Sequence, residues 1–271
     1  MSAVLTLERN EHVATIWLDR PEARNAMGTG LWHELPDVMN ALGDDPAVRV
    51  VVIAARGDHF TVGLDLKEFG AALMEGFGDD SGVAGRASTR AQVKRMQHTM
   101  TAVARCPKPV IVAVHGYCLG AGVDLITACD IRLAAGDAVF SVRETRMGMV
   151  ADVGTLQRLP RIVDPGRVAE LAFTGRDVGA DEAREMGLVS HVYRDRDQLI
   201  TAAQELAGQI AANSPLAVQG SKAVLAATEN MSVTEALDYV SIWNAAFLHS
   251  NDLREAVMAF LEKRPPEFDG T

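Results

Sequence analysis

The chain is poor in cysteine, in aromatic side chains and in positive charge, and it contains no long apolar run. Its three cysteines, Cys106, Cys118 and Cys129, make no Cys-x-x-Cys redox pair and no close metal-ligand pair. They do not form the disulfide set of a small secreted domain either, so a reducing, cytoplasmic setting is expected. Apolar stretches such as residues 50–55 and 110–114 fall far short of the roughly 20 residues that span a bilayer. The opening residues lack the apolar stretch of a signal peptide, and no membrane partner is expected. Twenty-six Lys and Arg stand against 36 Asp and Glu, a formal net charge of -10. This argues against a broad nucleic-acid surface but not against a local basic pocket. The histidines are scattered, and none has the spacing of a metal site. The chain has neither the Lys-Ser/Thr of a nucleotide P-loop nor a spaced three-glycine dinucleotide fingerprint, and no serine sits at a nucleophile elbow.

What is present is the composition of an ordinary globule: 271 residues, 48% hydrophobic and 23% charged. Alternation over residues 4–9 and 12–18, around Asn10-Glu11, predicts a hairpin. Leu31, Leu35, Val38, Met39 and Leu42 recur at helical spacing, with Thr29 as the expected N-cap. Pro36 would bend this helix or mark a later start. The continuous apolar run at 50–54 predicts a strand covered on both faces, and 110–114 predicts another. Residues 71–88, with Gly76, Gly78, Asp79, Asp80, Gly82 and Gly85, read as a flexible loop. Helix resumes near Thr89 with the stripe Val93, Met96, Met100 and Val103. A helix over 120–129 and a short strand over 131–133 follow. Alternating strands and helices continue to about residue 192. Ser232-Val233-Thr234-Glu235 then carries a capping-box signature, and Leu253, Val257, Phe260 and Leu261 stripe a last helix. The expected division is an α/β core over 1–200 and a helical region over 201–271. The second part is apolar enough to need a partner surface.

Two turns and three acids carry the chemistry. Gly63, in Phe60-Thr61-Val62-Gly63-Leu64-Asp65-Leu66, removes a side chain where backbone could approach a ligand, leaving the next amide exposed. In His115-Gly116-Tyr117-Cys118-Leu119-Gly120-Ala121-Gly122 a strand runs into a helix whose first amides attract negative charge. Simple turning and close packing are the plainer explanations. Asp124, Glu144 and Asp152 all have apolar neighbours, a costly setting for a carboxylate. Asp124 could merely favour a helix dipole, Glu144 could pair with Arg143 or Arg146, and Asp152 could cap a helix beginning at Gly154. Taken together, they suggest a pocket that stabilises an oxyanion and moves protons without a metal. His115 reads as a packed histidine, His59 lacks an adjacent nucleophile, and Met147 and Met149 suit apolar space.

Several segments, in order, resemble the crotonase, or enoyl-CoA hydratase/isomerase, superfamily. They are Asp19-Arg20-Pro21-Glu22-Ala23-Arg24-Asn25-Ala26-Met27, Gly63-Leu64-Asp65-Leu66, the His115 to Gly122 turn, Ala128-Cys129-Asp130-Ile131-Arg132, and Phe260-Leu261-Glu262-Lys263-Arg264-Pro265. The resemblance implies a spiral of repeated ββα units with a C-terminal helical trimerisation region, giving a homotrimer or homohexamer. It implies an acyl-CoA thioester substrate of lipid β-oxidation, with coenzyme A part of the substrate and no separate cofactor. The amides of Leu64 and Ala121 would form the oxyanion hole, Ala121 standing where glycine is common. Arg24, Ala26, Val62, Gly63, Asp65, Leu66, Lys67 and Gly120 would bind substrate, Arg24 and Lys67 near the coenzyme A phosphates or adenine. Hydratases of the family usually carry glutamate at the positions of Asp124 and Glu144. Here the first is aspartate, and Asp152 is added. That pattern, with residues 151–160, looks like the delta(3,5)-delta(2,4)-dienoyl-CoA isomerase branch. This implies that Glu144 removes the C2 proton, Asp152 supplies C6, and Asp124 orients or tunes Glu144. A 2-enoyl-CoA hydratase and a non-catalytic acyl-CoA-binding protein remain alternatives.

Overall fold

The strand runs of the sequence assemble into two sheets in the computed structural model, which describes residues 4–75 and 82–271. β1 (Leu5–Asn10) and β2 (Val13–Leu18) form the expected antiparallel hairpin. From β2 the larger sheet is parallel, through β3 (Val50–Ala55), β4 (Val110–Val114), β6 (Ile131–Ala135) and β9 (His191–Tyr193). A smaller sheet holds β5 (Tyr117–Leu119), β7 (Val139–Ser141) and β8 (Val178–Gly179). β4 and β6 each lead into a strand of the smaller sheet, and β5 leads into helix α4 (Ala121–Thr127). This is the repeated ββα winding.

The uninterrupted apolar strands follow from burial on both faces of the larger sheet. One face packs Ile16, Val51, Ile53 and Val112 against α1 (Thr29–Asp44) and the end of α3 (Val83–Arg105). The other packs Trp17, Val52, Ile111 and Leu133 against α8 (Arg196–Ala211). Ala203, Ala207 and Ala211 of α8 recur every fourth residue, so a stripe of methyl groups lets the helix lie close to the sheet. Residue 200, where the sequence suggested the end of the core, lies inside this sheet-covering helix.

Two local expectations are corrected. Thr29 is the first residue of α1, not its cap: Gly28 holds the cap position, and Glu68 Oε2 accepts the Thr29 N–H at 2.7 Å. Pro36 stays inside α1, which already begins at Thr29, so it does not mark a later start. A proline there cannot donate to the Trp32 carbonyl. The Thr99 hydroxyl of α3 donates to it instead, at 2.9 Å. Residues 71–88 are not simply a loop. α2 (Leu66–Glu75) covers 71–75, α3 begins at Val83, and residues 76–81 lie outside the described part. One helical glycine costs about 1 kcal/mol. Gly85 is tolerated because the later turns of α3 are anchored by Met100 and Val103 in the core.

Beyond β7 the chain forms α5 (Thr155–Arg158), α6 (Pro165–Thr174) and, after β8, α7 (Ala180–Glu185). The last three helices are α9 (Pro215–Thr228), α10 (Val233–Phe247) and α11 (Asn251–Glu262). The capping box of Ser232 and Glu235 opens α10 as expected. These helices leave Leu225, Leu237, Ile242, Phe260 and Leu261 exposed.

Candidate active site

The two glycine turns meet because the segment after β3 pairs with β5. The Thr61 N–H donates to Tyr117 O at 2.8 Å, and the Leu119 N–H donates to Thr61 O at 3.2 Å. Gly63 follows with φ 85°, a conformation side chains resist. A Cβ there would lie 2.6 Å from Leu119 O and 3.4 Å from the Ala121 nitrogen. Only glycine therefore allows this approach. On either side of Leu64, the Met27 N–H donates to Gly63 O and the Asp65 N–H to Met27 O. The Leu64 N–H itself has no protein acceptor among the described residues, and neither does that of Ala121, the first residue of α4. Two unused amides thus sit on adjoining turns, an arrangement suited to developing negative charge on an oxygen.

Glu144 reaches the same place from the end of β7, the neighbour of β5 in the smaller sheet. The Gly120 N–H donates to Ser141 O at 2.9 Å, tying the turn to β7. Three residues later Glu144 begins a one-turn 3-10 helix, Glu144–Met147. Its Oε1 would lie 3.4 Å from a Cβ placed on Gly120. Neither arginine suggested as its partner takes it. Arg143 pairs with Asp177 at 2.5 Å, and Arg146 donates to the Thr174 carbonyl. Glu144 Oε2 is buried without a partner among the described residues. Burial first, then the charges of Asp124 and Asp152, push its pKa up to about 7.

Asp124 lies wholly buried in α4, and its Oδ1 accepts the Thr155 N–H at 2.5 Å while Oδ2 has no partner among the described residues. Burial pushes its pKa up to about 6, against the pull of Thr155. Asp152 is the exposed member. The cavity wall still desolvates its carboxyl enough to raise its pKa. Asp152 does not cap α5, whose cap position is Gly154. Its carbonyl accepts from Gln97 of α3 at 2.6 Å, fixing the loop.

A cavity of about 1590 Å³ opens over these groups. Of the residues assigned to the site from sequence, all line it except Asp124, which sits behind Glu144's side of the wall. The Asp65 carboxylate has other work: it accepts from the Lys67 and Glu68 amides and pairs with Arg20 at 3.2 Å. Sequence reasoning missed Arg20 as a lining cation, and Phe69 and Tyr117 as lining rings. Tyr117 stacks on His59 with centroids 4.5 Å apart, a contact with no local sequence signal. Met147 and Met149 do line the cavity. His115 is buried, its Nε2 at 2.9 Å from the Gly57 carbonyl oxygen. Among the described residues no cluster of His, Cys, Asp or Glu could hold a metal ion, and no helix is long and apolar enough to cross a membrane.

With this geometry in place, comparison with known proteins gives the family. The sequence profile described as Enoyl-CoA hydratase/isomerase matches residues 8–271. The mitochondrial delta(3,5)-delta(2,4)-dienoyl-CoA isomerase of Mus musculus is 45% identical over 257 residues, 94% of this chain and 78% of that one. The peroxisomal protein of the same name from Arabidopsis thaliana is 43% identical, over 93% of this chain and 90% of that one. The crystal structure of an enoyl-CoA hydratase from Bacillus anthracis superposes with a TM-score of 0.90 at 32% identity, covering 99% of this chain and 100% of that one. The chain belongs to the enoyl-CoA hydratase/isomerase, or crotonase, family. It is an enzyme of that family acting on coenzyme A thioesters. The cytoplasmic expectation is corrected, because these isomerase relatives are mitochondrial or peroxisomal. Reduced thiols and short apolar runs do not discriminate between these compartments.

Proposed function

We propose that the protein converts a 3,5-dienoyl-CoA to a 2,4-dienoyl-CoA. The observation that carries this reading is Asp152, which stands with Glu144 on the wall of the cavity while Asp124 lies buried behind it. Moving both double bonds by one carbon removes a proton from C2 and adds one at C6. Two carboxyl groups can serve these separated atoms better than one. Glu144, with its pKa near neutrality, takes the C2 proton. Electrons shift along the chain as negative charge develops on the thioester oxygen, against the Leu64 and Ala121 amides. Protonated Asp152 then gives its proton to C6. Its exposure lets it recover a proton from water, and an acyl chain filling the cavity desolvates it further. Asp124 orients and tunes Glu144 from behind. Arg24 and Lys67 offer positive charge for the coenzyme A phosphates, and Arg20 adds a third cation to the lining.

The same reading includes self-association. The exposed apolar residues of α9, α10 and α11 support a homotrimer or a hexamer built from it, checked by light scattering of the purified protein. A second reading, hydration of a 2-enoyl-CoA, is favoured by the buried Asp124 and Glu144 pair and by the hydratase superposition. Assaying both thioesters side by side separates the two. Turnover of the enoyl-CoA alone would sink the isomerase reading. In D2O, deuterium should enter the product at C6 through Asp152.

A further inference from the structure

Thr155 supplies the one hydrogen bond that the Asp124 carboxylate receives among the described residues. It opens α5 and is wholly buried, with its N–H on Oδ1 at 2.5 Å. Two other atoms of this contact, Thr155 Oγ1 and Asp124 Oδ2, are buried and lack a partner among the described residues. One can donate and the other accepts, and they belong to residues already joined. Buried polar groups are rarely left unpaired, because each orphan costs stability. If α5 needed only bulk at this position, valine would fill it without an orphaned hydroxyl.

The charges around Asp124 give the contact a consequence. Asp152, just before α5, raises its pKa, whereas Arg158 of α5 lowers it. Glu144 faces it from the loop after β7, and the Cys118 thiol faces it from β5. The Thr155 N–H favours the ionised form, and its hydroxyl would do the same once turned onto Oδ2. Ionised Asp124 in turn makes Glu144 harder to deprotonate and therefore a stronger base.

We propose that Thr155 is a positioning residue whose N–H and hydroxyl together clamp Asp124 as an anion, so that Asp124 keeps Glu144 basic. Rotation of the Thr155 side chain brings its hydroxyl onto Oδ2. The proposal rests on the proton-transfer reading of Glu144 given above.

Carboxyl 13C NMR titration of the full chain tests it without substrate, with E144Q and D124N assigning the two resonances. In T155V the Asp124 pKa should rise and the Glu144 pKa fall by about one unit, a tenfold change in its acid dissociation. T155S should restore both values, and T155A can replace T155V if that variant does not fold. The acid limb of kcat/KM should move to lower pH in T155V, a shift that simple loosening of α5 would not produce. An unmoved Glu144 pKa in a folded T155V or T155A variant overturns the proposal, as does failure of T155S to restore it. Failure of the wild type to turn over a dienoyl-CoA would sink the isomerase reading while leaving the NMR shift intact. The two ideas therefore fail separately.

Discussion

Asp124 and Asp252 are both buried acids, but they are held in opposite ways. Asp252, 2% exposed in α11, has both oxygens occupied. Oδ2 accepts from the Ser214 hydroxyl at 2.5 Å, and Oδ1 accepts from the amides of Asp269 and Gly270 at 3.0 and 3.1 Å. It fastens the end of the chain to α9 and α11. Asp124 is at least as buried, yet among the described residues it receives one hydrogen bond and keeps an unpaired oxygen beside a second raised acid. A carboxylate buried for architecture is satisfied, whereas one buried for chemistry is left with unmet hydrogen-bonding and charge.

The contrast can be broken most forcefully at Glu144. Glu144→Gln keeps the shape and removes the proposed base, so the proposed dienoyl-CoA turnover should drop by about 10³-fold or more. Circular dichroism should be unchanged; a variant retaining a tenth of the activity would end the assignment. Asp152→Asn comes next, with a loss of roughly 10²- to 10³-fold in isomerisation. Coenzyme A thioester binding should persist by calorimetry, and normal turnover would remove Asp152 from the proton path.

Asp252→Ala should give the opposite profile. Leaving the Ser214 hydroxyl and two amides unpaired should cost about 2–4 kcal/mol of stability. Turnover by the remaining folded protein should be unchanged; an active-site defect without destabilisation would erase the distinction. Asp124→Asn should stabilise the fold, but only at higher pH. Its native pKa of about 6 lies above the ordinary carboxylate value, so its favourable contribution is complete in acid. That contribution fades as pH rises through about 6, leaving the ionised group a burden of about 1–3 kcal/mol at pH 8. Denaturant melts should show the gain at pH 8 and none at pH 4. The smallest effect is in the wild type's pH profile. kcat/KM should decline about tenfold per unit below pH 7, as Glu144 acquires a proton.

Much of the frame was readable along the chain because its causes are local. The hairpin came from alternation around Asn10-Glu11, the both-face burial of β3 and β4 from unbroken aliphatic runs, and the start of α10 from its capping box. Three acids and two glycine turns were likewise visible as residue types in unusual company. The helix around Pro36 was readable from its apolar spacing, but how the Trp32 carbonyl is satisfied was not, because the hydroxyl that reaches it lies 67 residues away on α3. Helix over 83–88 was hidden by glycines whose local cost is met by packing further along α3. Asp252 gave no signal, since Ser214 and the chain end meet it only in the folded protein.

The sequence by itself determined which groups were available: Gly63 and Gly120 for close backbone approach, Leu64 and Ala121 for their amides, and three carboxyls in apolar surroundings. Tertiary structure decided their separate environments. It buried Asp124 behind the cavity, brought Glu144 against Gly120, and left Asp152 exposed. Those differences cannot be read from residue type, because burial and neighbouring charge set a carboxyl's affinity for its proton, and both are properties of the fold.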